Sequence, residues 1–114
     1  MSKFVVLLVE DDTVLREALA DLLKDEGFEV IECATGEAAE LIIATTGTKL
    51  KAVVADHNLA GEMTGAALAS YALHLHPGMN IVIMSGTMVN LMPANATFLQ
   101  KPFPLAQLLE AIRR

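Results

Sequence analysis

The sequence predicts an α/β protein built on a mostly parallel sheet with helices on both faces. Apolar, β-branched runs alternate with stretches of helical period along the chain. Most of those runs are apolar throughout rather than at every second residue, which marks strands covered on both sides. Turn residues punctuate the helical stretches, as at Gly27 and Pro77-Gly78.

Residues 4–9 (FVVLLV) form the first such run. Leu15, Ala18, Leu19, Leu22 and Leu23 then follow a helical period, with Arg16, Glu17, Asp21, Lys24 and Asp25 on the opposite face. Asp12 or Thr13 can cap that helix, and Gly27 stands where a left-handed residue ends it. Residues 29–32 (EVIE) alternate, as in a more exposed strand. Ala38, Leu41 and Ile42 mark a second helix, opening near residues 35–37. Residues 52–55 (AVVA) and 80–84 (NIVIM) are further buried strands, and 97–100 (TFLQ) is a short fifth. Between the third and fourth strands, residues 65–76 are rich in Ala and Leu. Pro104 at a first helical position, with Leu105, Leu108, Leu109 and Ile112, makes the last helix. The order is βαβαβαβ, a short irregular piece, then βα, with right-handed crossovers.

The 114 residues suit one domain spanning 1–114, and 54% apolar content is enough for a core. A net charge of −6 argues against a nucleic-acid surface. Arg113 and Arg114 read as solvated charges suited to the dipole of a helix end. The apolar run at residues 4–9 is far short of the roughly 20 residues that cross a bilayer, so no membrane association and a cytoplasmic location are expected. Cys33 is the only cysteine, which excludes an internal disulfide, and a half-buried position is expected for it.

Ligands of open α/β sheets bind beyond the carboxyl ends of the strands. Glu10, Asp11 and Asp12 follow the first strand, and Asp56 follows the third. Ser85, Gly86 and Thr87 follow the fourth, and Lys101 follows the fifth. Glu10, Asp11 and Asp56 carry −3 when ionised, and Lys101 returns only +1. Carboxylates crowded together raise one another's pKa unless a cation intervenes. A hard, oxygen-seeking ion such as Mg²⁺ answers this, whereas the lack of Cys and of a His pair at the rim argues against zinc.

Four blocks carry a family resemblance: Val9-Glu10-Asp11-Asp12, Val54-Ala55-Asp56-His57-Asn58, Ser85-Gly86-Thr87 and Lys101-Pro102-Phe103. In order and placement they resemble the motifs of response-regulator receiver domains, and the resemblance spans essentially the whole chain. It implies a flavodoxin-like, doubly wound sheet of five parallel strands in the order 2-1-3-4-5. It also implies a phosphoacceptor of a two-component or phosphorelay system, dependent on Mg²⁺. On this resemblance Asp56 takes a phosphoryl group from a histidine kinase or histidine phosphotransfer protein. Asp11 and Asp56 ligate Mg²⁺, Glu10 acts through water, and the backbone carbonyl of Asn58 completes the protein ligands. Lys101 pairs with a phosphoryl oxygen. Ser85 and Phe98 are the switch residues, and a cis peptide precedes Pro102. The domain then catalyses only its own phosphorylation and dephosphorylation, and its further partners are a downstream target protein or a second copy of itself.

Two stretches depart from the family. Only residues 86–100 lie between Ser85 and Lys101, a shorter interval than usual, and Pro93 interrupts it. A shortened fourth helix of a turn or two is expected there, with Val89, Leu91 and Met92 either exposed or folded inward. Phe98 stands at the aromatic switch position without a hydroxyl, so readout is expected to differ from the usual mode. In the stretch from Asp56 to Gly65, Ala60 stands where proline is usual and one extra residue precedes Gly65. Such loops resemble those of receivers attached to hybrid histidine kinases.

Simpler roles are expected for several neighbours. Asp12 serves as an N-cap, Thr87 flanks the site, and His57 points away from Asp56 by strand alternation. His74 and His76 belong to a helix end, and Met63, Met79, Met84, Met88 and Met92 to packing, with a partner surface as the alternative for Met88 and Met92. Two alternatives stay open. One is a pseudo-receiver interaction module that works without phosphate. The other is a phosphatase with an aspartate nucleophile, against which Asn58 stands where such enzymes keep an acid.

Overall fold

The alternation of apolar runs and helical periods resolves into nine elements in a computed structural model, which describes residues 4–46, 49–89 and 92–114. They are β1 (Val5–Val9), α1 (Thr13–Asp25), β2 (Glu29–Cys33), α2 (Gly36–Thr46), β3 (Ala52–Asp56), α3 (Gly65–Leu75), β4 (Asn80–Ser85), β5 (Ala96–Gln100) and α4 (Leu105–Arg113). All neighbouring strands are parallel, and the sheet order is β2-β1-β3-β4-β5.

The central strands are apolar along their length because both faces are covered, with polar residues only at strand ends: Asn80 at the start of β4, and Asp56 and Ser85 at the C-terminal ends of β3 and β4. Val5, Leu7 and Val9 of β1 enter a core with Val53, Ala55, Ile81 and Ile83 beneath α2 and α3. Val6 and Leu8 enter a second core with Val54, Val82 and Met84 beneath α1 and α4. Side chains alternate across the pleat, so one uninterrupted run feeds two cores. Strand β2 lies at an edge and is only partly covered, as its alternating sequence predicts. Cys33 is half-buried at its end.

Local chemistry sets the helix ends. Asp12 is the N-cap of α1, its Oδ1 accepting the Leu15 N–H at 3.1 Å. At the other end Gly27 takes φ +95°. The Phe28 N–H donates to the Leu23 carbonyl and the Gly27 N–H to that of Lys24, which satisfies two orphan carbonyls and seats Phe28 on Leu23. Pro104 sits one position outside α4, as its N-cap residue, rather than at the first helical position; its extended ψ of 145° keeps it out of the helix. Asn80 at the start of β4 donates from Nδ2 to the Ala111 and Ile112 carbonyls, both at 2.7 Å, tying the end of α4 to the sheet.

Between β4 and β5 the expected shortening goes further than a short helix. Residues 86–89 and 92–95 form bends and a turn, with no helix among the described residues. Met92 folds against the core, Val89 is half-buried and Met88 is exposed. Leu91 lies outside the described residues.

Gly65 decides how closely α3 approaches β3. A Cβ there would lie 2.6 Å from the Asp56 carbonyl oxygen and 2.8 Å from the His57 Cα. Both are backbone atoms, which cannot swing aside. Gly65→Ala is therefore expected to destabilise the fold by about 1–3 kcal/mol, read as a lower urea midpoint with an unchanged slope.

Candidate functional site

Because the strands are parallel, their C-terminal ends share one rim, and the four sequence blocks meet there. Glu10 extends β1 by one residue, its N–H donating to the Cys33 carbonyl at 3.1 Å. Asp56 is the last residue of β3. Ser85 ends β4, and its carbonyl accepts the Lys101 N–H at 2.8 Å. The Lys101–Pro102 peptide is cis, as the resemblance implies.

The Lys101 ammonium reaches Asp56 Oδ2 at 2.5 Å and stands 3.9 Å from Glu10 Oε1. Asp56 Oδ1 accepts the N–H of Asn58 at 3.0 Å, which turns the chain sharply after β3. Asp56 and Glu10 are buried, whereas Asp11 and Asn58 are exposed. Ser85 is fully buried, its Oγ accepting the Thr87 N–H at 3.2 Å. Phe98 is half-buried on β5, in register with Ile83. His57 turns away from Asp56, as alternation predicts, and its Nδ1 accepts the Ala66 N–H at the start of α3.

Glu10 carries the clearest electrostatic signature. Its Oε2 accepts the Asp12 N–H at 3.1 Å, but its Oε1 is buried with no hydrogen-bond partner. Burial pushes its carboxyl up from an ordinary 4.5 to about 7, opposed by the Asp12 N–H. The Asp11 side chain and the Asp56 charge push the same way as burial, and Lys101 pulls back.

The donors suit a hydrated Mg²⁺. They are oxygens, and an orphaned buried carboxylate oxygen is what an ion-bound water would satisfy. Among the described residues no three His, Cys, Asp or Glu side chains form a metal cage by themselves. Such a site draws on a backbone carbonyl and waters as well as carboxylates.

Sequence reasoning missed two supporting side chains. The sequence places Arg16 only on the polar face of α1. Its Nη1 donates to the Glu10 carbonyl at 2.9 Å, and its Nε stands 3.5 Å from Glu32 Oε1. Glu37, in the first turn of α2, accepts the N–H groups of Glu62 and Met63. Neither is visible in a spacing: Arg16 reaches back across the turn between β1 and α1, and Glu37 reaches a loop that only the crossovers bring near.

The profile of the response regulator receiver domain matches residues 6–113. The chain belongs to the response-regulator receiver family. Among curated relatives, the sensor kinase CckA of Brucella abortus is 33% identical over 114 residues, covering 95% of this chain. The response regulator FleR of Pseudomonas aeruginosa is 33% identical over 115 residues, covering 96%. The chain spans 12% of the first and 24% of the second. Among solved structures, a response regulator receiver protein from Sinorhizobium medicae superposes with TM-score 0.88 at 28% identity, covering 97% of this chain and 92% of that one. The receiver domain of the hybrid histidine kinase CckA superposes with TM-score 0.80 at 30% identity, covering 96% and 95%. No helix of the described residues is long and apolar enough to cross a membrane.

The raised Glu10 carboxyl makes this receiver's stability depend on pH with a definite sign. The folded chain holds the proton more tightly than the unfolded chain. This group's cost is therefore absent below about pH 4.5, grows as pH rises, and is complete above about pH 7. It amounts to about 3 kcal/mol when no divalent cation is present. Glu10→Gln is expected to raise the melting temperature in chelator at about pH 8, with the gain fading towards about pH 4.5. Melting curves of both proteins across that window check it.

Proposed function

We propose that this receiver domain accepts a phosphoryl group on Asp56, from the phosphohistidine of a histidine kinase or histidine phosphotransfer protein, in a Mg²⁺-dependent reaction. The observation that carries the reading is the rim itself. The buried Asp56 carboxylate is held by Lys101, beside the buried Ser85 and the orphaned Glu10 oxygen. A carboxylate oxygen of Asp56 forms the new bond to phosphorus, the bond from phosphorus to the imidazole nitrogen breaks, and the imidazole leaves. Mg²⁺, when bound, would supply the positive charge that neutralises the phosphoryl oxygens in flight. Asp11, Asp56 and the Asn58 carbonyl would hold it, with Glu10 acting through water.

The remaining work falls to the chain's own groups. Lys101 moves its ammonium from Asp56 to a phosphoryl oxygen, a short displacement for a side chain already at the spot. Ser85 Oγ accepts from the Thr87 backbone and lies 3.5 Å from the Thr87 hydroxyl, and its own hydrogen turns to another phosphoryl oxygen once that group is in place. Phe98 follows Ser85 as the residue that buries or exposes its ring. The domain works in the cytoplasm, where such kinases present their phosphohistidine, and its product contacts a target protein or a second copy.

One feature favours a second reading. The connection between β4 and β5, which has no helix among its described residues, alters the neighbourhood of Phe98, as a phosphate-independent interaction module could tolerate. Incubation with acetyl phosphate and Mg²⁺, followed by intact-mass measurement, separates the two. The expected result is a single hydroxylamine-labile phosphoryl group, absent in Asp56→Asn and in chelator. Lys101→Ala should slow labelling about a hundredfold. An unlabelled wild-type protein, still able to bind its partner, would establish the module instead.

A further inference from the structure

The loop that follows Asp56 runs from residue 57 to residue 64 before α3 begins, and such a loop needs something to hold it. Residues 35–37 do so. Thr35 makes a parallel bridge to Ala60. Gly36 lets Met63 pack closely, since a Cβ there would lie 2.9 Å from the Met63 Cβ and Cγ. Glu37 reaches across with its carboxylate, Oε2 accepting the N–H of Glu62 and the N–H of Met63, both at 3.3 Å.

Gly61 makes the double contact possible. Its φ of +92° turns the chain so that two successive N–H groups face one anion. A Cβ at Gly61 would lie 2.9 Å from Glu37 Oε1. The rest of the loop is anchored by the His57 carbonyl, which accepts the Gly65 N–H at 2.9 Å, and by Leu59 against the core. Asn58 lies between these anchors, exposed, with only its N–H on Asp56.

We propose that Glu37 is a positioning residue for the divalent-cation site, clamping the loop on which Asn58 offers its backbone carbonyl. The inference rests on the reading of Asp56 and Asn58 given above. Glu37 touches neither the cation nor the phosphoryl group. It narrows the orientations open to the Asn58 carbonyl, so its loss acts on cation affinity and leaves the chemistry at saturation intact. Outer-shell partners of metal ligands are typically worth about 10–100-fold in affinity, and an exposed clamp belongs at the lower end.

The test is a calorimetric Mg²⁺ titration, with the acetyl phosphate labelling rate measured against Mg²⁺ concentration. The proteins are wild type, Glu37→Ala, Glu37→Gln and Glu62→Gln. Glu37→Ala is expected to weaken Mg²⁺ binding about tenfold, with the labelling rate at saturating Mg²⁺ unchanged. Glu37→Gln, which keeps one acceptor oxygen, should fall between it and wild type. Glu62→Gln removes an equal charge from the same loop without touching the clamp and should match wild type. Wild-type affinity in Glu37→Ala, or a labelling rate depressed at every Mg²⁺ concentration, would overturn the proposal. So would equal weakening in Glu37→Gln and Glu62→Gln, which would make the effect one of net charge. If Glu37→Ala does not fold, weaker binding by Glu37→Gln than by Glu62→Gln supports the clamp, and equality rejects it. A wild-type protein that neither binds Mg²⁺ nor labels would overturn the phosphoacceptor reading and the clamp with it. Failure confined to the variants overturns the clamp alone.

Discussion

The Lys101–Asp56 ion pair is the interaction around which this rim is arranged. Parallel strands all end on the same side, so β1 and β3 deliver Glu10 and Asp56 to one place whether or not their charges are compatible. Two buried carboxyl groups without a counter-ion would be costly. Lys101 arrives from the far side of the chain, at the end of β5, and lies against both. One ammonium is too little for the whole cluster. The shortfall shows at Glu10, with its unpartnered oxygen and raised carboxyl. A rim short of positive charge suits a divalent cation.

The shell around the rim is built from backbone and from side chains that never reach the reacting atoms. Arg16 holds the Glu10 carbonyl, Thr87 engages Ser85 through its N–H, and Gly65 lets α3 lie directly against the Asp56 and His57 backbone. These contacts explain why a cluster of like charges does not splay apart. Asp56 in particular has both oxygens engaged, one by Lys101 and one by the Asn58 N–H.

Away from the rim, the stretch between β4 and β5 gives up regular structure among its described residues while keeping its apolar side chains useful. Met92 covers part of the core that α2 and α3 leave open. Met88 stays exposed, close to His57, Thr64 and Ala67 along a shallow cleft beside α3. Ser85 and Phe98 flank this connection.

Much of this protein was legible from sequence because its signals are local or periodic. Uninterrupted apolar runs named the buried strands, i to i+4 spacing named the helices, and Asp12 and Gly27 named the ends of α1, each through chemistry within a few residues. Strand-end placement gathered Glu10, Asp56, Ser85 and Lys101 in advance, since a parallel sheet leaves them nowhere else to go. Tertiary structure alone decided what each does to the others. Burial of Glu10 and the reach of Glu37 to a loop 25 residues away depend on how the crossovers pack. Solvation and charge are properties of a three-dimensional neighbourhood, and no one-dimensional spacing encodes them.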